Sequence, residues 1–263
     1  MLIAFDIGNT NTVIGVYQDE EALAHWRIGS DRHKTADEYG LIICQLFQQV
    51  KIEIDGLNEA IISSVVPDIT GNIEKMVENY LHLEPLIVGA GIKTGLMIRY
   101  ENPKEVGADR IVNAVAGIEK YGAPLVLVDF GTATTFCAVN DKGEYLGGAI
   151  VPGVELSMQA LFSNTAKLPK VELHAPKSYI GRNTVNAIQS GLIYGYCDLV
   201  DGMVRRFAGE MGYDLAKVNV IATGGLAEIV CKESKTVKVI DPYLTLDGLR
   251  MLAKLNHNEL KEK

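Results

Sequence analysis

Met1-Leu-Ile-Ala-Phe-Asp6-Ile7-Gly8-Asn9-Thr10-Asn11-Thr12-Val13-Ile-Gly-Val-Tyr17 is the stretch whose reading decides the fold. Leu2 to Phe5 is an unbroken apolar run of the kind that makes a buried strand, and Val13 to Tyr17 supplies a second. Between them, Asp6 to Thr12 predicts a tight turn rich in hydrogen-bonding side chains. Gly8 lets a ligand approach the backbone closely. Free N–H groups and hydroxyls in such a turn suit phosphate oxygens, and an Asp at a strand mouth suits a metal ion carried by those phosphates.

The pattern returns in Leu125-Val-Leu-Val-Asp129-Phe-Gly131-Thr132-Ala-Thr134-Thr135-Phe-Cys-Ala-Val139. Asp6 recurs as Asp129, Gly8 as Gly131, Asn9 as Thr132 and Thr12 as Thr135, each 123 residues on. One Asp-x-Gly turn is a weak signal, because such hairpins are common and mostly structural. Two copies at equivalent places predict a duplicated pair of domains, 1–120 and 121–263, whose two loops serve one nucleotide.

Bulk properties narrow the class. A chain of 263 residues suits about two domains, and 48% hydrophobic residues supply ample core. The balance of 33 Asp+Glu against 25 Lys+Arg gives a net charge of −8 without any basic run, so no nucleic-acid partner is expected. The apolar runs are too short to span a bilayer, and Met1 leads into a strand without a basic leader, so the expectation is a cytoplasmic protein with no membrane partner. Cys44, Cys137, Cys197 and Cys231 form no Cys-x-x-Cys and read as reduced core thiols.

In the first half, Thr35-Ala-Asp-Glu38 is a capping box, followed at helical spacing by Tyr39, Ile42, Ile43, Leu46, Phe47 and Val50. Residues 59–66 predict a strand stopped by Pro67, 68–81 a helix and 85–88 a short strand. Gly89-Ala-Gly91-Ile-Lys93-Thr94 lacks both the Gly-Lys-Ser/Thr ending of a phosphate loop and the third Gly of a dinucleotide fingerprint, so it reads as a plain loop. After Tyr100, Pro103 and Gly107 mark irregular backbone, and residues 111–121 predict a helix with Asp109 near its start. Spacing alone makes Asp109 a helix cap. The adjacent Arg110 suggests instead a base and a carboxylate clamp for one small substrate.

In the second half, residues 144–150 continue the meander, and a helix follows with Val154, Met158, Leu161 and Phe162 on one face. Residues 167–179 predict a surface loop. Thr184 opens the longest helical pattern, with a stripe of Ile188, Leu192, Tyr196, Leu199, Met203, Phe207 and Met211 that reads as core or subunit interface. Residues 218–222 predict a strand ending in Thr223-Gly224-Gly225, and a last helix follows Asp241. The tail from Asn256 is charged and expected to be loosely held.

Taken in order, these motifs resemble the actin/sugar-kinase/Hsp70-like nucleotide-binding superfamily, and within it the type III pantothenate kinases. The resemblance implies an α/β fold of two duplicated RNase-H-like domains, each a mixed five-stranded sheet with flanking helices. It implies ATP-dependent phosphorylation of pantothenate, with ATP held by Asp6, Ile7, Gly8, Asn9, Thr10, Asn11, Thr12, Val13, Gly131, Thr132, Gly224 and Gly225. Asp6 would take Mg²⁺, directly or through water, and Asp129 a monovalent cation, K⁺ or NH₄⁺. Gly107-Ala108-Asp109-Arg110 matches the family's acceptor motif, with Asp109 as catalytic base and Tyr100 beside it. Gly181-Arg-Asn-Thr184 matches a second motif whose Thr contacts the acceptor near the subunit interface of a homodimer. Alternatives of other kinds are a kinase of another small alcohol, an ATP-binding accessory regulator of transcription and an actin-like or Hsp70-like scaffold. The acceptor motif opposes the first and the last, and the acidic charge and intact Asp109 oppose the second.

Overall fold

The computed structural model describes residues 1–262, with side chains described through His257. The chain forms two compact units. One comprises residues 1–95, 102–116 and the segment from 244 onward; the other comprises 96–101 and 117–243.

The first unit is built on a five-stranded sheet in the order β3-β2-β1-β4-β5. Its strands are β1 (Leu2–Ile7), β2 (Asn11–Gln18), β3 (Glu21–Gly29), β4 (Glu59–Ser64) and β5 (Leu86–Ile87). β1 pairs antiparallel with β2 and parallel with β4, so it lies at the sheet's centre. A strand buried on both faces needs an unbroken apolar run, which explains why the opening residues do not alternate. Ile3, Phe5 and Ile7 point one way, into a core with Tyr39, Ile43, Phe47, Ile69 and Ile73. These come from α1 (Ala36–Val50) and α2 (Pro67–Met76), the latter running on as a wider π turn, Val77–Leu81. Leu2 and Ala4 point the other way, against Val112 of α3 (Ala108–Tyr121) and Leu246, Leu249 and Leu252 of α7 (Leu244–Glu262). Fully burying each such Leu, Ile or Phe contributes about 1.5–3 kcal/mol.

The second unit repeats the plan. Its six strands are β6 (Met97–Ile98), β7 (Leu125–Phe130), β8 (Ala133–Val139), β9 (Glu144–Pro152), β10 (Asn219–Gly224) and β11 (Val239–Ile240), in the order β11-β10-β7-β8-β9-β6. Apart from β6, this is the order and pairing sense of the first sheet. The alternation of buried and half-buried residues along β1 and β7 is also identical. α4 (Val154–Ser163), α5 (Thr184–Glu210) and α6 (Ala227–Val230) cover the core formed by Val126, Val128 and Phe136.

Several expectations are corrected. The expected boundary at 120/121 differs from the observed division: α7 packs with the first unit because its Leu stripe fits the face of β1 and β4 left open by α1 and α2. The second sheet has six strands, since β6 adds in parallel to β9. β3 was not expected, yet Ala22, Ala24, Trp26 and Ile28 alternate along it and pair with β2. The buried ridge of α5 runs through Ile193, Cys197, Val200, Val204 and Ala208, leaving Tyr196, Leu199, Met203 and Phe207 as half-buried flanks. Helix α7 continues past Asn256, whose amide donates to the carbonyls of Lys93 and Leu252, so the tail is anchored at that point. The side chains of 258–262, and Lys263, lie outside the described residues.

Candidate active site

In both units the Asp-x-Gly turn sits at the carboxyl end of the central strand, where open α/β sheets bind ligands. In the first unit the Gly8 amide donates to the Asn11 carbonyl at 3.0 Å, closing the turn. The Ser30 amide donates to the Thr10 carbonyl at 3.0 Å, and the Thr12 and Ser30 hydroxyls share a hydrogen bond at 2.9 Å. The residue after β3 thus fastens the turn from behind.

The second turn is one residue shorter. Ile7 pairs with Thr12, whereas its counterpart Phe130 pairs with Thr134. The Gly131 amide donates to the Ala133 carbonyl at 3.2 Å. Thr134, not Thr135, is therefore the structural equivalent of Thr12: constant spacing misassigned it because a single deletion in the turn shifts the register. Both threonines are fully buried. The counterpart of Ser30 is Gly153, whose amide donates to the Thr132 carbonyl at 3.0 Å. A Cβ there would lie 2.3 Å from that oxygen, so only glycine fits behind the shorter turn. Without a Ser30-like hydroxyl, Thr134 Oγ1 has no hydrogen-bond partner among the described residues.

Asp129 is backed by Gly224, which pairs in register with Phe130 and adopts φ +92°. A Cβ on Gly224 would lie 2.7 Å from Asp129 Oδ1 and 2.6 Å from the Phe130 carbonyl oxygen. Asp129, Gly131, Thr132 and Gly224 thus form one group at the end of β7 and β10, and Gly225 follows it exposed.

The acceptor motif is joined to the first turn through Val65, which the sequence reading did not single out. The Val65 amide donates to the Ile7 carbonyl at 3.1 Å, and its Cγ1 lies 3.8 Å from the position of a Cβ on Gly107. The Asp109 carboxylate folds back over Gly107: a Cβ there would approach Oδ1 to 2.5 Å and displace the carboxylate from this position. α3 begins at Ala108, placing Asp109 in its first turn, where Oδ1 accepts from the Arg110 amide at 2.8 Å. Asp109 is half-buried and Arg110 buried. Burial pushes the Asp109 carboxyl above the usual carboxylate range, with the Arg110 amide and charge pulling the other way.

Tyr100 lies just beyond β6, its ring 3.3 Å from the position of a Cβ on Gly147 of β9. Thr184 is the first residue of α5, and the capping role belongs to Asn183, whose Oδ1 accepts from the Asn186 amide at 2.8 Å. The exposed Thr184 hydroxyl is thereby left for another use. It lines an open depression of about 640 Å³ with Arg182, Asn183, Ile188, Leu161 and Leu168.

These residues fit a metal–nucleotide. Among those described, no group of three or more His, Cys, Asp or Glu is arranged to hold a metal ion. One or two carboxylates plus substrate phosphates is the usual way Mg²⁺ is held, and the single Asp6 at the first turn suits that mode.

Solved structures share this architecture. A Baf family transcriptional activator from Campylobacter jejuni, described as conserved and putative, aligns with a TM-score of 0.61 at 17% identity, covering 97% of this chain and 99% of that one. A putative 2-dehydro-3-deoxygalactonokinase from Sinorhizobium meliloti aligns at 0.58 and 12%, covering 97% and 99%. The activator of 2-hydroxyisocaproyl-CoA dehydratase from Clostridium difficile, solved with bound ADPNP, aligns at 0.52 and 10%, covering 99% and 96%. At these identities the likeness shows the fold alone. The sequence itself matches the family described as type III pantothenate kinase over residues 2–206, a span holding both turns, the acceptor motif and Thr184. The chain therefore belongs to the type III pantothenate kinase family and is a phosphotransferase.

Proposed function

We propose that this enzyme transfers the terminal phosphoryl group of ATP to the primary hydroxyl of pantothenate, forming 4′-phosphopantothenate at the first step toward coenzyme A. The observation that carries this reading is Asp109: a carboxylate in the first turn of a helix, raised in pKa by burial, within an intact Gly-Ala-Asp-Arg and tied through Val65 to the first turn. The pantothenate oxygen bonds to the γ-phosphorus as the bond to the β–γ bridging oxygen breaks. The hydroxyl proton passes to Asp109, and ADP leaves. A carboxylate with a raised pKa is a better base than an ordinary one, and here it also orients the hydroxyl. The remaining work is positioning and charge neutralisation, which dominate phosphoryl transfer.

In this reading the Gly8–Thr12 backbone and hydroxyls cradle phosphate oxygens, with Ile7 and Val13 framing the turn and Asp6 beside the Mg²⁺ that travels with them. Gly131 and Thr132 provide a second cradle, and Gly224 and Gly225 present bare backbone to the nucleoside. Asp129 takes K⁺ or NH₄⁺, adding positive charge in a site without a phosphate-loop lysine. Gly107, Ala108, Arg110, Tyr100 and Thr184 hold the pantothenate. A homodimer completes the account: Leu161, which lines the Thr184 depression, and Phe162, Tyr179 and Ile180 are exposed, the last two at 67% and 78%, apolar surface that a second copy would cover.

ADP release from the purified protein with ATP and Mg²⁺, with and without pantothenate and with K⁺ or Na⁺, tests the reading. Pantothenate-dependent release stimulated by K⁺ is expected. ATP binding with no release under any condition would replace it with the regulator reading, and release indifferent to pantothenate would point to another alcohol.

A further inference from the structure

The loop between β3 and α1 holds a cation against the first turn. Its backbone is fixed at several points: the Ser30 amide on the Thr10 carbonyl, the Ser30 hydroxyl on Thr12, and the Asn72 amide on the Lys34 carbonyl at 3.0 Å. The hydroxyl of fully buried Tyr39 donates to the Asp31 carbonyl at 2.9 Å and accepts from the Asp31 amide at 3.2 Å. The capping box then locks the entry to α1: the Thr35 hydroxyl accepts from the Glu38 amide, and the Glu38 carboxylate accepts from the Thr35 amide.

Three basic side chains follow in sequence, and they are not equivalent. Lys34 is paired with Asp31 at 3.3 Å. The His33 backbone amide is spent on the same carboxylate at 2.9 Å. Arg32 has no carboxylate within 4.0 Å among the described residues; its guanidinium is exposed and makes a long, 3.4 Å hydrogen bond to Asn9 Oδ1, in the middle of the turn. A guanidinium resting on a neutral amide oxygen at that distance has more to gain from a phosphate oxygen, which it can meet with two parallel hydrogen bonds. Neither turn supplies a lysine or arginine of its own. In the second unit the position equivalent to Ser30 is Gly153, which leads directly into α4 with the acidic Glu155 in its first turn, so the basic loop has no counterpart there.

We infer that Arg32 is a phosphate-binding residue, reaching across Asn9 to the terminal phosphate of the nucleotide, a role that rests on the ATP reading above. The choice of the terminal phosphate follows from the first unit itself, since Gly107, two residues before Asp109, lies near Val65, whose amide is bonded to the Ile7 carbonyl at the head of this turn, and the acceptor must meet the γ-phosphorus.

Equilibrium binding of Mg-ATP and of AMP, together with steady-state kinetics, on the full-length wild type and the Arg32→Gln, Arg32→Lys and Lys34→Gln variants tests this. Loss of one charge-assisted hydrogen-bonded contact predicts Mg-ATP binding weakened about 10- to 100-fold in Arg32→Gln, with AMP affinity and the KM for pantothenate held within about twofold. Arg32→Lys recovers a large part of the loss, and Lys34→Gln binds like wild type. Unchanged Mg-ATP affinity in Arg32→Gln, or equal weakening of AMP, would overturn the assignment while leaving the ATP reading intact. A wild type that binds no ATP would overturn both, and that control is read first.

Discussion

Gly224 presses against Asp129 so closely that a single methyl group there would come within 2.7 Å of the Asp129 Oδ1 atom. The two residues lie on adjacent parallel strands, and the glycine's φ of +92° is one that side-chain-bearing residues rarely adopt. Gly224→Ala should therefore lower stability by roughly 1–3 kcal/mol. It should also reduce the activation by K⁺ proposed for Asp129. Thermal denaturation and a K⁺ titration of turnover measure the two effects. A variant with wild-type Tm and K⁺ response would mean that the carboxylate does not need this bare backbone.

The role proposed for Asp109 couples activity to pH. Because burial raises its pKa, the acid limb of kcat/KM should lie above the ordinary Asp value of about 3.9. Asp109→Asn should remove that limb and reduce turnover about 10²- to 10⁴-fold. The stability effect has the opposite sign. A raised folded-state pKa means that the charged form is disfavoured in the fold, so the stability linked to Asp109 is present below its unfolded pKa and lost as pH rises through the folded one. At neutral pH the uncharged Asn should therefore raise Tm, with the gain shrinking as pH falls. Denaturation curves at several pH values, measured beside the rate profile, check both halves.

Asp201 shows the reverse linkage. This buried carboxylate on α5 accepts from the Ser234 hydroxyl at 2.6 Å, the Lys235 amide at 3.0 Å and the Thr236 hydroxyl at 2.8 Å, pinning the segment between α6 and β11. Burial pushes its pKa up, but the hydrogen bonds outweigh burial and the net direction is down. The stabilisation is thus present above the ordinary Asp pKa and lost as pH falls through the lowered one. Asp201→Ala leaves several buried donors unsatisfied and should destabilise by about 3 kcal/mol. In urea denaturation the wild type should lose this advantage over the variant as pH falls through the lowered pKa; a constant difference across acid pH would contradict the assignment.

The paired threonines give a contrast between the units. Thr12→Val removes a hydroxyl that Ser30 uses and should destabilise by about 1 kcal/mol. Thr134→Val removes a fully buried hydroxyl without a partner among the described residues, and should be neutral or stabilising in the ligand-free protein. Equal losses in chemical denaturation would show that the second turn uses its hydroxyl too.

Much of this was legible in the sequence for identifiable reasons. The strand–turn–strand repeat was visible because central strands are apolar on both faces and their turns need glycine. The one-residue shortening of the second turn was not, since no residue marks a deletion, and Thr135 was taken for Thr134 as a result. β3 escaped because one of its three inward-facing positions is the small Ala24, with His25 and Arg27 between these positions diluting the alternation. The last helix after Asp241 was legible, but not the unit on which its Leu246, Leu249 and Leu252 pack. That Asn183 caps α5 and leaves the Thr184 hydroxyl exposed is seen only in the structure. Val65 carried no signal at all: its role comes from a backbone amide and a position in space.

The central claim is phosphoryl transfer to pantothenate with Asp109 as the base. Its most direct test is a single-turnover assay following the labelled γ-phosphate of ATP, with wild type and Asp109→Asn side by side under saturating substrates. The account predicts label in a pantothenate ester for the wild type, and a rate about 10²- to 10⁴-fold lower for a variant that still binds ATP. Transfer at the wild-type rate by Asp109→Asn, or wild-type label that never appears in pantothenate, would contradict it.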